Sequence, residues 1–518
     1  MKLFRTLLGA AAVVLSAGSG LAEKITLHSD DGGLTLSGEP LGFDGTYLRL
    51  RTADGVLTVK MEGMACTGAA CPDRSGFVPE IVLAGSADMA TVLLPPLIES
   101  YARENGSSVS RDERGDALTY VFERAGLRHL RIALRPMTTQ EGFEALLTEE
   151  ADLVLASRPP LSAEVAAIEE AGHGDLSEVG RFRTLAWGGV VPIVSPALGV
   201  TTLDFRQLGA IRAGEVTSWE EVSGVGGGID VHVAGSATGP MQFADLLLRS
   251  VTGEANSVSV ERHQAAGDAV SAVVAAPGAL GLVSWSEAGA AQALEIGGEC
   301  GLSVPAAPAA LRSGDYPLAV PYRLYLPQRR LAPDAAAFVD WLDSRAAERV
   351  VRRAGFADAG RDVVPMAQQG ERLALAMREI SGPDEIRLLQ ELLTQLDGAA
   401  RMTPTFRFET GSADIGSAGR EIASRLARAI DGGEITQARV LFVGFHDGRE
   451  AAEDRDRLAA ARAEAALIRV ARAMDGAVPE NVALEIASGG DALSVACPEA
   501  AWGRRLNRRV EVWLAPLE

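Results

Sequence analysis

Between Pro79 and Pro365 short continuous apolar runs alternate with stretches of helical periodicity. EIVLAG, RIAL, DLVLAS and VVPIVS are the clearest of the runs. Segments this short with so few polar positions read as strands buried on both faces. Alternating with helical patterns, they predict an α/β architecture long enough for two lobes. The whole chain has 518 residues, beyond the size at which a single core keeps growing, and three or more domains are expected.

The flanks differ in texture. Residues 1–22 carry Lys2 and Arg5, then LLGAAAVVL, then small residues ending Gly20-Leu21-Ala22, which reads as a secretory signal. Its apolar core is too short to span a bilayer, and no later segment reaches the roughly 20 apolar residues a span needs. An exported chain is expected. In residues 23–76 the runs KITLHS, LTLSG, TYLRLRT and VLTVKM alternate apolar with polar positions between Asp- and Gly-rich turns, a small all-β domain. Residues 366–403 (QGERLALAMREI, DEIRLLQELLTQL) lack sustained heptads and read as a helical linker. Residues 404–518 place Phe406 and Phe408 on one strand face. They then give the strand ARVLFVG, a helix with an apolar stripe at Leu458, Ala461, Ala465, Ile468, Ala471 and Met474, and the alternation Val510, Val512, Leu514. A β-α-β-α-β domain with helices on a sheet satisfies these faces.

Net charge is −20, which argues against nucleic acid or an anionic lipid surface as the main partner. It does not exclude a small anion, because oriented N–H and hydroxyl dipoles bind oxyanions without net charge. Four cysteines in an exported chain suggest disulfides. Cys66 and Cys71, close together in MACTGAACP, form the expected pair, leaving Cys300 and Cys497 either bonded across domains or both free. The six His are scattered, none at ligand spacing from a Cys, so neither a metal site nor a cofactor is expected. No Gly-x-Ser-x-Gly elbow or Ser-His-Asp spacing appears, and a non-enzymatic protein is expected.

Several hydroxyls stand where helices begin. Ser86 follows the first strand of the α/β region, Thr138 and Thr139 precede a second helix, Ser157-Arg158 ends DLVLAS, and Ser236-Ala237-Thr238 precedes MQFADLLL. Taken singly, each is as well explained by a helix cap. Together, Ser86, Thr139, Ser157, Ser236 and Thr238 are candidate oxyanion donors, with Arg158 as the cation. In order, these loops with PIVSPALGVTTLDFRQLGAIRAGEVTSWEEV, APGALGLVSWSEA and YPLAVPYRLYLP resemble the periplasmic phosphate-binding proteins of ABC importers over residues 78–365. The resemblance implies a bilobal fold, phosphate or a similar oxyanion as ligand, and an importer permease as partner. The chain departs from that pattern at Ala87 and Asp88, where a hydroxyl donor is expected, and at Gly239, where an Arg is. A carboxylate at Asp88 suits only an oxyanion that brings a proton.

Near the C-terminus, GFHDGREAAEDRDRLAAARAEAAL and Asn507-Arg508-Arg509-Val510 resemble the OmpA-like peptidoglycan-binding domain. That likeness implies that Asp447, Arg462 and Arg508 grip the diaminopimelate of the stem peptide, a ligand carrying both ammonium and carboxylate. The combined expectation is a periplasmic, peptidoglycan-associated solute-binding protein near the outer membrane. The alternative is a wall-anchored interaction module that has lost its small ligand.

Overall fold

The computed structural model describes residues 24–74, 76–114, 117–234, 239–252, 260–380, 382–448, 455–474 and 476–517. The expected signal and two of the candidate donors, Ser236 and Thr238, lie outside them. No helix among the described residues is long and apolar enough to cross a membrane.

The N-terminal unit is an antiparallel sheet of β1 (Ile25–Ser29), β2 (Thr35–Phe43), β3 (Tyr47–Thr52), β4 (Gly55–Lys60) and β5 (Met64–Thr67), in the order β4-β3-β2-β1-β5. The period-2 pattern turns Ile25, Leu27, Leu48 and Leu50 into one small core with Met61 and Met64. Cys66 is disulfide-bonded to Cys71, as expected.

The rest of the chain is a second unit, of mixed α/β class. Its first part contains β6 (Glu80–Ser86), α1 (Leu94–Glu104), β7 (Ser108–Arg114), β8 (Ala117–Arg124), β9 (Leu127–Met137), α2 (Thr139–Leu147), β10 (Leu153–Ala156) and α3 (Ser162–Glu170). There follow β11 (Phe182–Val194), β12 (Asp230–Ala234), β13 (Val260–His263), α4 (Ala266–Ala275), β14 (Ala279–Ser284) and β15 (Ala319–Tyr325). The strands form one curled sheet in the order β13-β12-β14-β11-β15-β10-β6-β9-β8-β7. The long β11 makes it bilobal: Phe182–Thr184 pairs with the end of β15 beside β10, whereas Val190–Val194 pairs with β14. Each lobe buries its own apolar cluster, one around Phe143, Val154, Phe182 and Tyr325, the other around Val191, Val233, Leu282 and Trp219.

The C-terminal part contains α5 (Gly370–Glu379), α6 (Pro383–Gln395), β16 (Ala400–Arg407), α7 (Ser417–Asp431), β17 (Ala438–Phe445), α8 (Arg455–Ala473), β18 (Val482–Gly490), α9 (Ala501–Asn507) and β19 (Arg509–Pro516). Strand order is β16-β19-β17-β18, with β17 and β18 parallel and the other pairs antiparallel. The sheet is covered on both faces. Phe406, Phe442, Val510 and Val512 meet α7 and α8, while Leu441, Val443 and Trp513 meet Leu392 and Leu396 of the α6 region. The buried face of α8 is Ala459, Ala463, Ala466 and Val470, continued by Met474 just past its end, whereas Ile468 is exposed. This corrects the stripe expected from spacing, which shares only Met474. The cause is Gly444: a Cβ there would lie 1.9 Å from the Ala459 carbonyl oxygen, so the helix backbone rides directly on the strand with its small residues inward.

This domain is joined to the bilobal part covalently and through buried charge. Cys300 is bonded to Cys497. Arg401 Nη1 and Arg407 Nη2 lie 2.6 and 2.5 Å from the Asp315 carboxylate. Behind them Glu511 accepts from Arg372 and Arg509, each at 2.7 Å. Burial alone would raise the Asp315 and Glu511 carboxyls, but the surrounding guanidiniums outweigh it. Asp315 is held well below the usual range and Glu511 is lowered to about 2.

Candidate functional site

The interlobe site begins at the C-terminal end of β6. Gly85 has φ +131°, and a Cβ on it would lie 2.1 Å from the Leu155 carbonyl oxygen. A Cβ on Gly142 would lie 2.8 Å from the Ala84 carbonyl oxygen. Two glycines thus let β10 and the first turn of α2 close onto the strand end. Thr138 takes the capping role in α2, its Oγ1 accepting from Glu141 N at 3.2 Å while Glu141 accepts from Thr138 N at 2.8 Å. Thr139, one residue on, is therefore free to point inward. Its Oγ1 lies 3.1 Å from Ser157 Oγ and accepts from Ser157 N at 3.1 Å.

Ser86 is fully buried, and its hydroxyl has no hydrogen-bond partner among the described residues. It caps no helix. The next polar side chain, Asp88, reaches across the lobes. It accepts from Ser284 Oγ at the end of β14 (3.1 Å) and from the Tyr322 hydroxyl on β15 (3.2 Å). Burial pushes its carboxyl up, against these two hydrogen bonds. Glu287 is raised too, by burial and then by the neighbouring Asp88. The Tyr322 hydroxyl is held well above its ordinary value by burial and by Asp88. Ser284, Glu287 and Tyr322 lie in the runs APGALGLVSWSEA and YPLAVPYRLYLP without being singled out there; β14 and β15 bring Ser284 and Tyr322 to Asp88.

Arg158 is engaged elsewhere. Its Nη1 and Nη2 donate to the two oxygens of Glu164 at 2.8 and 2.7 Å, a bidentate pair. The same carboxylate caps α3 by accepting from Leu161 N at 2.6 Å. Chemically, the residues gathered here offer hydroxyl donors and, at Asp88, a carboxyl that accepts hydrogen bonds.

At the C-terminal candidate site Asp447 and Arg508 form a direct ion pair, Nη1 to Oδ2 at 2.7 Å. Arg462 is fully buried and donates to the carbonyls of Ser412, Phe445 and Glu409 at 2.9, 3.2 and 3.2 Å, its guanidinium 5.5 Å from the Phe408 ring centre. Arg508 Nε also donates to the Phe408 carbonyl at 3.3 Å. All three predicted residues therefore converge on the turn after β16 and the end of β17, with Arg508 paired directly to Asp447. Beside them a cavity of about 450 Å³ is lined by His446, Glu379, Glu385, Leu389 and Asp491.

Residues 71–346 match the model of the PBP superfamily domain. Similar solved structures include an ABC-type phosphate transport receptor from Vibrio cholerae, at 19% identity and TM-score 0.41 over 53% of this chain and 98% of that one. A putative phosphate ABC transporter substrate-binding protein with bound phosphate from Clostridium perfringens aligns at 16% identity and TM-score 0.40, over 54% and 100%. The substrate-binding domain of a putative molybdenum ABC transporter from Clostridium difficile aligns at 10% and 0.33, over 54% and 99%. No curated protein sequence matches the chain.

Proposed function

The chain belongs to the PBP superfamily, and from that premise we propose that it is a non-enzymatic periplasmic binding protein. In this reading phosphate or a similar protonated oxyanion sits between the lobes, and the C-terminal domain docks on peptidoglycan. One observation carries the ligand reading: the Ser86 hydroxyl is buried without a partner among the described residues, a cost that a bound acceptor oxygen removes. Thr139 and Ser157 supply further hydroxyls, and Asp88 accepts the ligand's proton. Wall docking is supported by the motif order and by the meeting of Asp447, Arg462 and Arg508 at one end of the sheet. An importer permease is the partner such a binder would serve.

Calorimetric titration of the full chain with phosphate tests the ligand reading. Saturable heat that disappears in Ser86→Ala and weakens in Asp88→Asn is expected, and no heat at millimolar phosphate would overturn it. For the wall, Asp447→Ala with Arg508→Ala should abolish co-sedimentation with purified sacculi. Undiminished sedimentation would remove the docking claim without touching the ligand claim.

A second reading is favoured by the Arg158–Glu164 pair and by the two carboxylates, Asp88 and Glu287, in the cleft. It is a wall-anchored interaction module without a small ligand. Absent heat together with intact sedimentation is its signature.

A further inference from the structure

A separate cluster lies on the outer strands of the second lobe. In the parallel pair β12–β13, His232 stands opposite Glu261. Side chains alternate along a strand, so His263, two residues beyond Glu261, projects from the same face. His232 Nδ1 and His263 Nε2 lie 3.0 Å apart. The Glu261 carboxylate is 3.5 Å from the first nitrogen and 3.9 Å from the second. The His side chains are 9% and 12% exposed and Glu261 is 67% exposed, so the group reaches solvent through the carboxylate.

Two imidazole nitrogens pointing at one another share at most one proton when neutral. Two His and one carboxylate converging on a single point form a ligand set suited to zinc or a similar divalent transition metal. Four-coordinate zinc with bonds of about 2.0–2.1 Å sets its donors about 3.3 Å apart. The two His nitrogens, 3.0 Å apart, need to part by about 0.3 Å, and the exposed Glu261, whose Oε2 faces His232 and whose Oε1 faces His263, turns to present one oxygen to both. A comparable grouping at Cys300, Cys497 and Glu499 lacks the same capacity, because both sulfurs are bound in a disulfide and offer no thiolate.

We propose that His232, Glu261 and His263 bind a divalent transition-metal ion of the zinc class, leaving at least one coordination position open to water or an anionic donor. This site is independent of the interlobe reading, since it shares no residue with it.

The test is calorimetric titration of the full chain with zinc chloride, in parallel with cobalt substitution followed by visible absorption. Wild-type protein should bind one equivalent at this site and give the intense bands of low-coordinate cobalt. His263→Gln should weaken zinc binding by at least about 100-fold, more than loss of a residue that merely supports a ligand, and abolish the cobalt bands. His232 is the more buried ligand, so the partly exposed His263 is the variant of choice. Its thermal unfolding without metal should match wild type, while the zinc-induced rise in Tm should vanish. Absence of saturable zinc binding in wild type, or a loss below about 100-fold in His263→Gln, would overturn the assignment.

Discussion

The two lobes meet the C-terminal domain in opposite ways. The second lobe shares its interior with it: Val495, Ala496, Trp502 and Leu506, from the β18–β19 connection, belong to the same apolar cluster as Val191, Val233 and Leu282. Trp502 packs against Phe205 at a tilt, with ring centres 5.1 Å apart, and the Cys300–Cys497 bond fixes the edge. The first lobe touches the domain through exchangeable polar contacts. Glu421 on α7 accepts from Thr184 N and Oγ1 at 2.8 and 2.7 Å, Arg420 donates to the Ser177 carbonyl at 2.9 Å, and Arg425 to the Thr184 carbonyl at 3.2 Å. Water can replace hydrogen bonds of this kind at modest cost, whereas it cannot replace a tryptophan in a core. The domain is thus one body with the second lobe and a docking partner of the first.

Breaking the shared core should have the largest effect. Trp502→Ala is expected to lower unfolding stability by about 3–5 kcal/mol. Denaturant melts showing under about 1 kcal/mol would mean that the cluster is two cores merely in contact. Replacing both Cys300 and Cys497 by Ser should cost about 2–4 kcal/mol, read in the same melts. On the first-lobe side, Glu421→Ala should cost only about 1.5–3 kcal/mol. Its hydrogen-exchange signature should appear at Thr184, with the second lobe unchanged.

Acid separates the regions by sign. Glu511, lowered in the fold from 4.5 to about 2, contributes stability that is complete above pH 4.5 and is lost as pH falls from there toward 2. Asp88 is raised in the fold, so its contribution runs the other way, and protonation on acidification relieves its burial. Stability measured from pH 6 down to 2.5 should therefore fall less steeply in Glu511→Gln than in wild type. An identical slope would show that the C-terminal charge cluster does not govern acid lability.

The strands were the most legible elements. EIVLAG, RIAL, DLVLAS and VVPIVS are all strand segments because buried strands leave no polar face to confuse their pattern. The α8 face was misjudged because alanines dominate the helix, and their burial is set by Gly444 on another element. Charged side chains were hardest to assign. Arg158 lies six positions from Glu164 and Arg508 lies 61 from Asp447, and one-dimensional spacing offers each arginine several carboxylates. His232 and the Glu261–His263 pair meet only through strand register, which pattern alone does not fix. The Cys300–Cys497 bond, left open by the sequence, spans 197 positions.

The position of Trp502 also bears on how the molecule is made. A chain synthesised from its N-terminus completes every strand of the second lobe long before residues 495–506 follow. Until they pack, apolar surface around Phe205 stays uncovered and exposed to association with other unfolded chains. Packing of residues 495–506 therefore acts as the lobe's closing step, and a chain cut short of them is a sticky product rather than a smaller working one.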